Sequence, residues 1–134
     1  MMTRRAATLA VAVLVALAGC GGRESDEVAA RRVAADFHAA LDAGDGAAAC
    51  GLLTEQSAHE VEKSSSSPCA EGVLDANVSD AGQPLRSLVF GDEARVDFES
   101  DTVFVSHRTD GWRIAAVGCQ PSPTEPFDCQ IQGA

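Results

Sequence analysis

Three histidines, His38, His59 and His107, are the first candidates for acid–base chemistry in this chain, because histidine is the side chain that ordinarily titrates near neutral pH. His38 and His59 fall on helical stretches rich in alanine and charge and are expected at the surface. His107 falls, by strand alternation, beside Trp112 on an apolar face near a sheet end, where it would serve as a pocket base or ligand donor. Asp36, next to Phe37, is the candidate carboxylate. With Phe98 and Val105 these residues make the candidate pocket: Asp36, Phe37, Phe98, Val105, His107 and Trp112. The chain has no tyrosine, so no phenol stands ready to stabilise an oxyanion, and a base without such a partner is half a mechanism. No nucleophile elbow, phosphate loop or His-Glu-x-x-His motif occurs. The acidic turns around Asp92, Glu93, Glu99 and Asp101 lack the spacing of a calcium loop. No catalytic residue is assigned, and no cofactor or metal is expected.

The remaining chemistry is sulfur, and the first cysteine gives its context. Arg4 and Arg5 precede an apolar run over 9–18, which is too short for a membrane span and has the form of a secretory signal segment. Leu17-Ala18-Gly19-Cys20 resembles the lipobox of bacterial lipoproteins. That resemblance implies removal of residues 1–19 and a diacylglyceryl thioether on Cys20, with palmitate-type acylation of the new amino terminus. It implies lipid anchoring at the extracytoplasmic face of the cell membrane. Two or more chains would hold stably where one holds only marginally.

Cys50, Cys69, Cys119 and Cys129 then lie in an oxidising compartment, and their even number predicts disulfides. Three pairings are possible. Proximity in sequence favours Cys50–Cys69 and Cys119–Cys129, each worth about 3 kcal/mol in the chain-entropy view. No Cys-x-x-Cys pair exists, which argues against zinc.

The net charge is −10 at neutral pH, and loss of Arg4 and Arg5 makes it more negative. An acidic body disfavours nucleic acid and anionic lipid head groups and keeps the domain soluble beside the membrane. Lys63 is the only lysine, whereas alanine, glycine and arginine abound; that usage resembles a GC-rich bacterium and suggests an actinobacterium. Length predicts one domain over 27–134, behind a short polar tether over 20–26.

The elements that would position these groups begin with a helix over 26–43, capped by Ser25 and ended by Gly44. Asp45 caps a second helix over 46–53, and Thr54 a third over 55–63. Ser64 to Ser67 form a loop, and Ser67 caps a fourth helix over 68–76. From Leu85 the period becomes two. Strands over 85–90, 94–98, 103–107 and 112–116 follow, with Ala94, Val96, Phe98, Val103, Val105, His107, Trp112, Ile114 and Ala116 on one face. Phe98 is expected opposite Val103, and His107 opposite Trp112. Phe104 and Val117 fall on the outer face among Arg95, Asp97, Ser106 and Arg113, too polar a setting for a dimer contact. Pro121, Pro123 and Pro126 are expected to end the sheet.

Helices followed by an antiparallel meander are the α+β pattern. Phe37 to Asp45, Ala49 to Thr54, Gly91 to Val96 and Asp110 to Ala115 together resemble small secreted domains of the NTF2-like (cystatin-like) superfamily. The resemblance implies a cone-like curved sheet of four strands, with helices on its inner face. Many such domains bind small ligands at the cone mouth and some are enzymes. The expected function is a non-catalytic tethered domain that binds a small apolar ligand or a protein partner. The competing expectation is a cone-pocket isomerase, dehydratase or hydrolase using His107 or Asp36.

Overall fold

The computed structural model describes residues 21–133; the expected signal segment and Cys20 lie outside the described residues. Four helices come first: α1 (Gly21–Asp42), α2 (Gly46–Gly51), α3 (Glu55–Ser65) and α4 (Cys69–Gly72). Five strands follow: β1 (Pro84–Phe90), β2 (Glu93–Phe98), β3 (Thr102–Arg108), β4 (Gly111–Pro121) and β5 (Phe127–Gln132). They form one antiparallel meander in the order β1-β2-β3-β4-β5. The α+β class therefore stands, with five strands rather than four.

Alanine is the strongest helix former, and it is the commonest residue of α1. Ala30, Ala34 and Phe37 recur at helical spacing and are fully buried, with Ala40 nearly so. Small residues let the helix lie close to the sheet, and Phe37 fills the space that remains. The helix ends as Gly44 turns left-handed at φ 67°. The Gly44 N–H bonds Leu41 O at 2.9 Å and the Asp45 N–H bonds Ala40 O at 2.8 Å, a Schellman closure. The start differs from expectation. Helix begins at Gly21, so 21–26 are helical rather than an extended tether. Ser25 is not the cap; its hydroxyl donates back to Gly22 O at 2.8 Å.

Asp45 and Thr54 cap α2 and α3 as expected, accepting from the N–H groups of Ala48 and Ser57. The α4 helix is only four residues long, with Pro68 rather than Ser67 at its cap. Ser67 is occupied elsewhere, its hydroxyl donating to Ser65 O, and the chain after Gly72 continues in tight turns. Cys50–Cys69 joins α2 to α4. The two approach so closely that a Cβ on Gly46 would meet Ala70 O at 1.7 Å, so only glycine fits there.

The expected strand face is largely in place: Ala94, Val96, Phe98, Val103, Val105, Trp112 and Ile114 are buried. Val96, not Phe98, lies opposite Val103, because the β2–β3 turn is tight and Phe98 N bonds Asp101 O at 2.8 Å. That two-residue shift keeps every side chain on its face. In β4 the register slips twice, since Val105 pairs with Ile114, Phe104 with Ala116 and Thr102 with Cys119. Alternation breaks there. Ala116 and Val117 are consecutive and both buried, so Val117 joins the core instead of the outer face.

The fifth strand is the larger correction. Pro121, Pro123 and Pro126 do not end the sheet; they bound the connection that returns the chain along β4. Cys119 and Cys129 sit directly opposite one another in that ladder and form the second disulfide. Where β5 stops pairing, Leu53 bridges Ile114, and the Ser57 hydroxyl and Gly133 N–H both donate to Ala115 O. The β4 edge is thus covered from Ile114 to Pro121.

Phe37→Ala should cost about 3–5 kcal/mol, since a fully buried ring between helix and sheet leaves a cavity that alanine neighbours cannot fill. Urea unfolding measures this, and a loss below about 1 kcal/mol would contradict the packing described.

Candidate functional site

The six residues expected to share a pocket do not share one. Phe37 and Val105 are fully buried, and Phe98 and Trp112 are packed with them in a single apolar cluster. This cluster is the interface of α1 and the sheet, and side chains fill it. Asp36 faces solvent on the far side of α1. His107 does lie opposite Trp112, ring against ring at 5.0 Å, but it is exposed near the end of β3. Parity put it on the inner side correctly; the helices do not extend far enough to cover it. Trp112 Nε1 is buried without a hydrogen-bond partner among the described residues.

The group that is brought together is one the sequence did not suggest. His38, expected at the surface, is 8% exposed, and Asp101 is 5% exposed. His38 Nε2 lies 2.8 Å from Asp101 Oδ2. Asp101 also accepts the N–H of Cys119 at 2.8 Å and of Gly118 at 3.3 Å. Its carboxylate is therefore the acceptor throughout, and the His38 ring donates. The imidazole stands edge-on to Phe98 at 5.2 Å and Phe37 at 5.8 Å. The pair joins α1 to the β2–β3 turn and to the irregular stretch of β4. It has the composition of the base and orienter of a catalytic triad, but among the described residues no hydroxyl or thiol bonds the imidazole. Its chemistry is that of a buried polar tie. His59 is exposed on α3, as expected.

A second polar cluster lies on the outer face. Asp97 accepts from Arg86 at 2.8 Å and from Arg95 at 2.6 Å. Arg95 in turn stacks over Phe127, 5.2 Å from the ring centre, and Phe127 meets Phe104 edge-on at 5.1 Å. Burial alone would push the Asp97 carboxyl up. The hydrogen bonds and charges of Arg86 and Arg95 outweigh it and hold the group below the usual carboxylate range.

A surface depression of about 580 Å³ lies between the start of α3 and the β3–β4 hairpin. Thr54, Gln56, Arg108, Thr109 and Arg113 are among its lining residues, and Arg113 is held by Asp110 at 3.0 Å. It is polar and does not touch Asp36 or His107. Among the described residues no cluster of three or more His, Cys, Asp or Glu is arranged to hold a metal ion. No family model, no curated protein and no solved structure matches the chain.

Asp101→Ala strands two main-chain N–H groups and the His38 ring in the interior, and should cost about 3–5 kcal/mol. A double-mutant cycle with His38→Ala should return about 1–3 kcal/mol of coupling; additivity within about 0.5 kcal/mol would refute the tie. The outer cluster gives a pH effect of defined sign. A carboxyl whose pKa is lowered on folding stabilises the fold above its unfolded value and loses that contribution as the pH falls through the folded value. Asp97→Asn should therefore lower stability at pH 6 by under about 1 kcal/mol, because Arg86 is well exposed. The difference from the parent should shrink and then vanish as the pH falls below the usual carboxylate range and through the lowered folded value. Urea midpoints across that range check it.

Proposed function

We propose that this protein is a bacterial lipoprotein: an extracytoplasmic, non-catalytic binding domain held on the cell membrane by acyl chains on Cys20. The single observation that carries the reading is the junction at residue 20. A signal-like segment ends in Leu17-Ala18-Gly19-Cys20, and the domain that follows is clamped by two disulfides. Such bonds persist where the environment is oxidising. The architecture is read as a variant of the NTF2-like cone, supported by helices placed before the meander and by Asp110-Gly111-Trp112 in the β3–β4 hairpin. In this variant the inner face is occupied by α1 rather than left open.

A filled inner face bears on what the domain binds. Contact with a protein partner or small ligand falls to the outer surface, where the depression beside Arg108 and Arg113 offers polar rather than apolar groups. Catalysis by His107 or Asp36 finds no support in the arrangement, because both residues are exposed and no common cavity holds them.

Cys20→Ala tests the anchor. The parent should fractionate with membranes and carry the added mass of a diacylglyceryl group, while the variant should be lost from that fraction. A variant that stays membrane-bound at the mass expected from sequence alone would overturn the reading.

A further inference from the structure

We propose that the end of the domain formed by the first turn of α1 and the β1–β2 turn rests on the bilayer, with the Phe90 ring inserted among the head groups and upper acyl chains. The inference rests on the lipoprotein reading and adds to it an orientation and a second point of contact.

The first observation is the absence of slack. α1 begins at Gly21, the residue joined to Cys20. Adjacent Cα atoms are about 3.8 Å apart, so an acylated Cys20 would be fixed to a rigid helix rather than to a flexible spacer.

The second is what lies beside that helix start. The Arg23 guanidinium donates to Val89 O at 3.3 Å. Gly22, Arg23 and Asp26 face Val89, Phe90 and Gly91 across a shallow depression. The tip of the β1–β2 hairpin therefore shares an end of the molecule with the anchor. α1 then runs away from this end along the sheet. The Ser87 hydroxyl donates to Glu27 O and accepts from Arg31 Nε. His38 meets Asp101 at the opposite sheet end, about 16 Å further along the helix.

The third is Phe90 itself. It is 63% exposed, whereas Phe37, Phe98 and Trp112 are buried and Phe104 and Phe127 are half-buried against one another on the outer face. No described side chain covers it, and its place beside the acylated residue identifies a lipid surface as its occupant. Glu24, Asp26, Asp92 and Glu93 gather around the same tip, so charge does not draw this end towards anionic lipid. The contact is apolar, and the anchor makes it possible. A single ring binds a bilayer weakly, but a tether that holds it within a few ångströms of the surface raises its effective concentration enough for it to be inserted much of the time.

Leu85 supplies the control. It is equally exposed at 63% and lies on the same strand, but about 17 Å away towards the far end. The lipidated protein, reconstituted into phosphatidylcholine vesicles with and without brominated acyl chains, would be compared as Phe90→Trp, Leu85→Trp and parent. Trp112 is the only native tryptophan and is buried, so its signal subtracts. Brominated lipid should quench the F90W signal at least threefold more than the L85W signal, with blue-shifted emission for F90W alone. Replacing a third of the lipid with phosphatidylglycerol should not strengthen the quenching. Intact mass and vesicle flotation are read on the same samples. Acylated, floating protein whose F90W signal is quenched no more than L85W would overturn the orientation alone. Protein that carries no acyl mass and does not float would overturn the lipoprotein reading and the orientation with it.

Discussion

The close seating of α1 on the sheet is the contact on which the other features depend. Alanine at 30 and 34 brings the helix backbone near β1, β2 and β4, and Phe37 occupies the gap that remains. A helix lined with larger residues would stand off and leave a hollow. Burial of apolar area supplies the attraction, but apolar contact is non-directional and would tolerate rotation or sliding. The His38–Asp101 bond is directional. Together with the Arg31 and Glu27 contacts to Ser87 it sets where along the sheet the helix lies. Asp101 extends the constraint into β4 through Gly118 and Cys119. One carboxylate thereby holds helix, turn and strand in register.

The disulfides act at the margins of this contact rather than within it. Cys50–Cys69 closes a separation of 19 residues around α3 and holds the short α2 and α4 together. Helices of six and four residues are not stable alone, because nucleation costs more than so few hydrogen bonds return. Cys119–Cys129 holds β5 on β4 across a proline-rich connection. It includes Cys119, whose own N–H Asp101 accepts. The covalent and polar ties thus converge on one short stretch of β4, where the strand is most irregular and least able to hold its place by ladder bonds alone.

What could be read from the sequence was what depends on near neighbours. Period-two alternation placed Ala94 to Phe98 and Val103 to Ile114 on the correct face even where the exact partner was two residues off, since such a slip preserves parity. Asp45 and Thr54 were readable as caps because a cap acts within three residues. The double slip in β4 was not readable. It depends on the cross-strand partners, and it reversed the side assigned to Val117. β5 did carry a signal, with Phe127, Cys129 and Ile131 alternating with Asp128, Gln130 and Gln132, but the three prolines before it suggested an ending. His38 and Asp101 are 63 residues apart. Each sits in a polar neighbourhood along the chain, and only the docked helix makes them a buried pair. The candidate pocket failed for a related reason: residues on one face may line a cavity or fill it, and side-chain volumes across the interface decide which.

A filled sheet face also changes which part of the molecule can specify a partner. In an open cone, specificity would reside in inward side chains, and the outer surface would be free to vary in any polar fashion. Here the inward residues are committed to packing, so substitutions among them alter stability before they alter recognition. If the domain binds a partner, as proposed, discrimination would fall to charged and aromatic groups on the outside: Arg108 and Arg113 beside α3, or the chain of Arg86, Asp97, Arg95 and Phe127 across the outer face. The second group is already paired and stacked within itself, so a partner there would have to displace existing bonds. At the first, Asp110 engages Arg113 from an exposed position on the hairpin, a pairing in high dielectric that costs little to exchange. Of the two, the hairpin side is where a new polar contact would meet the smaller opposing term.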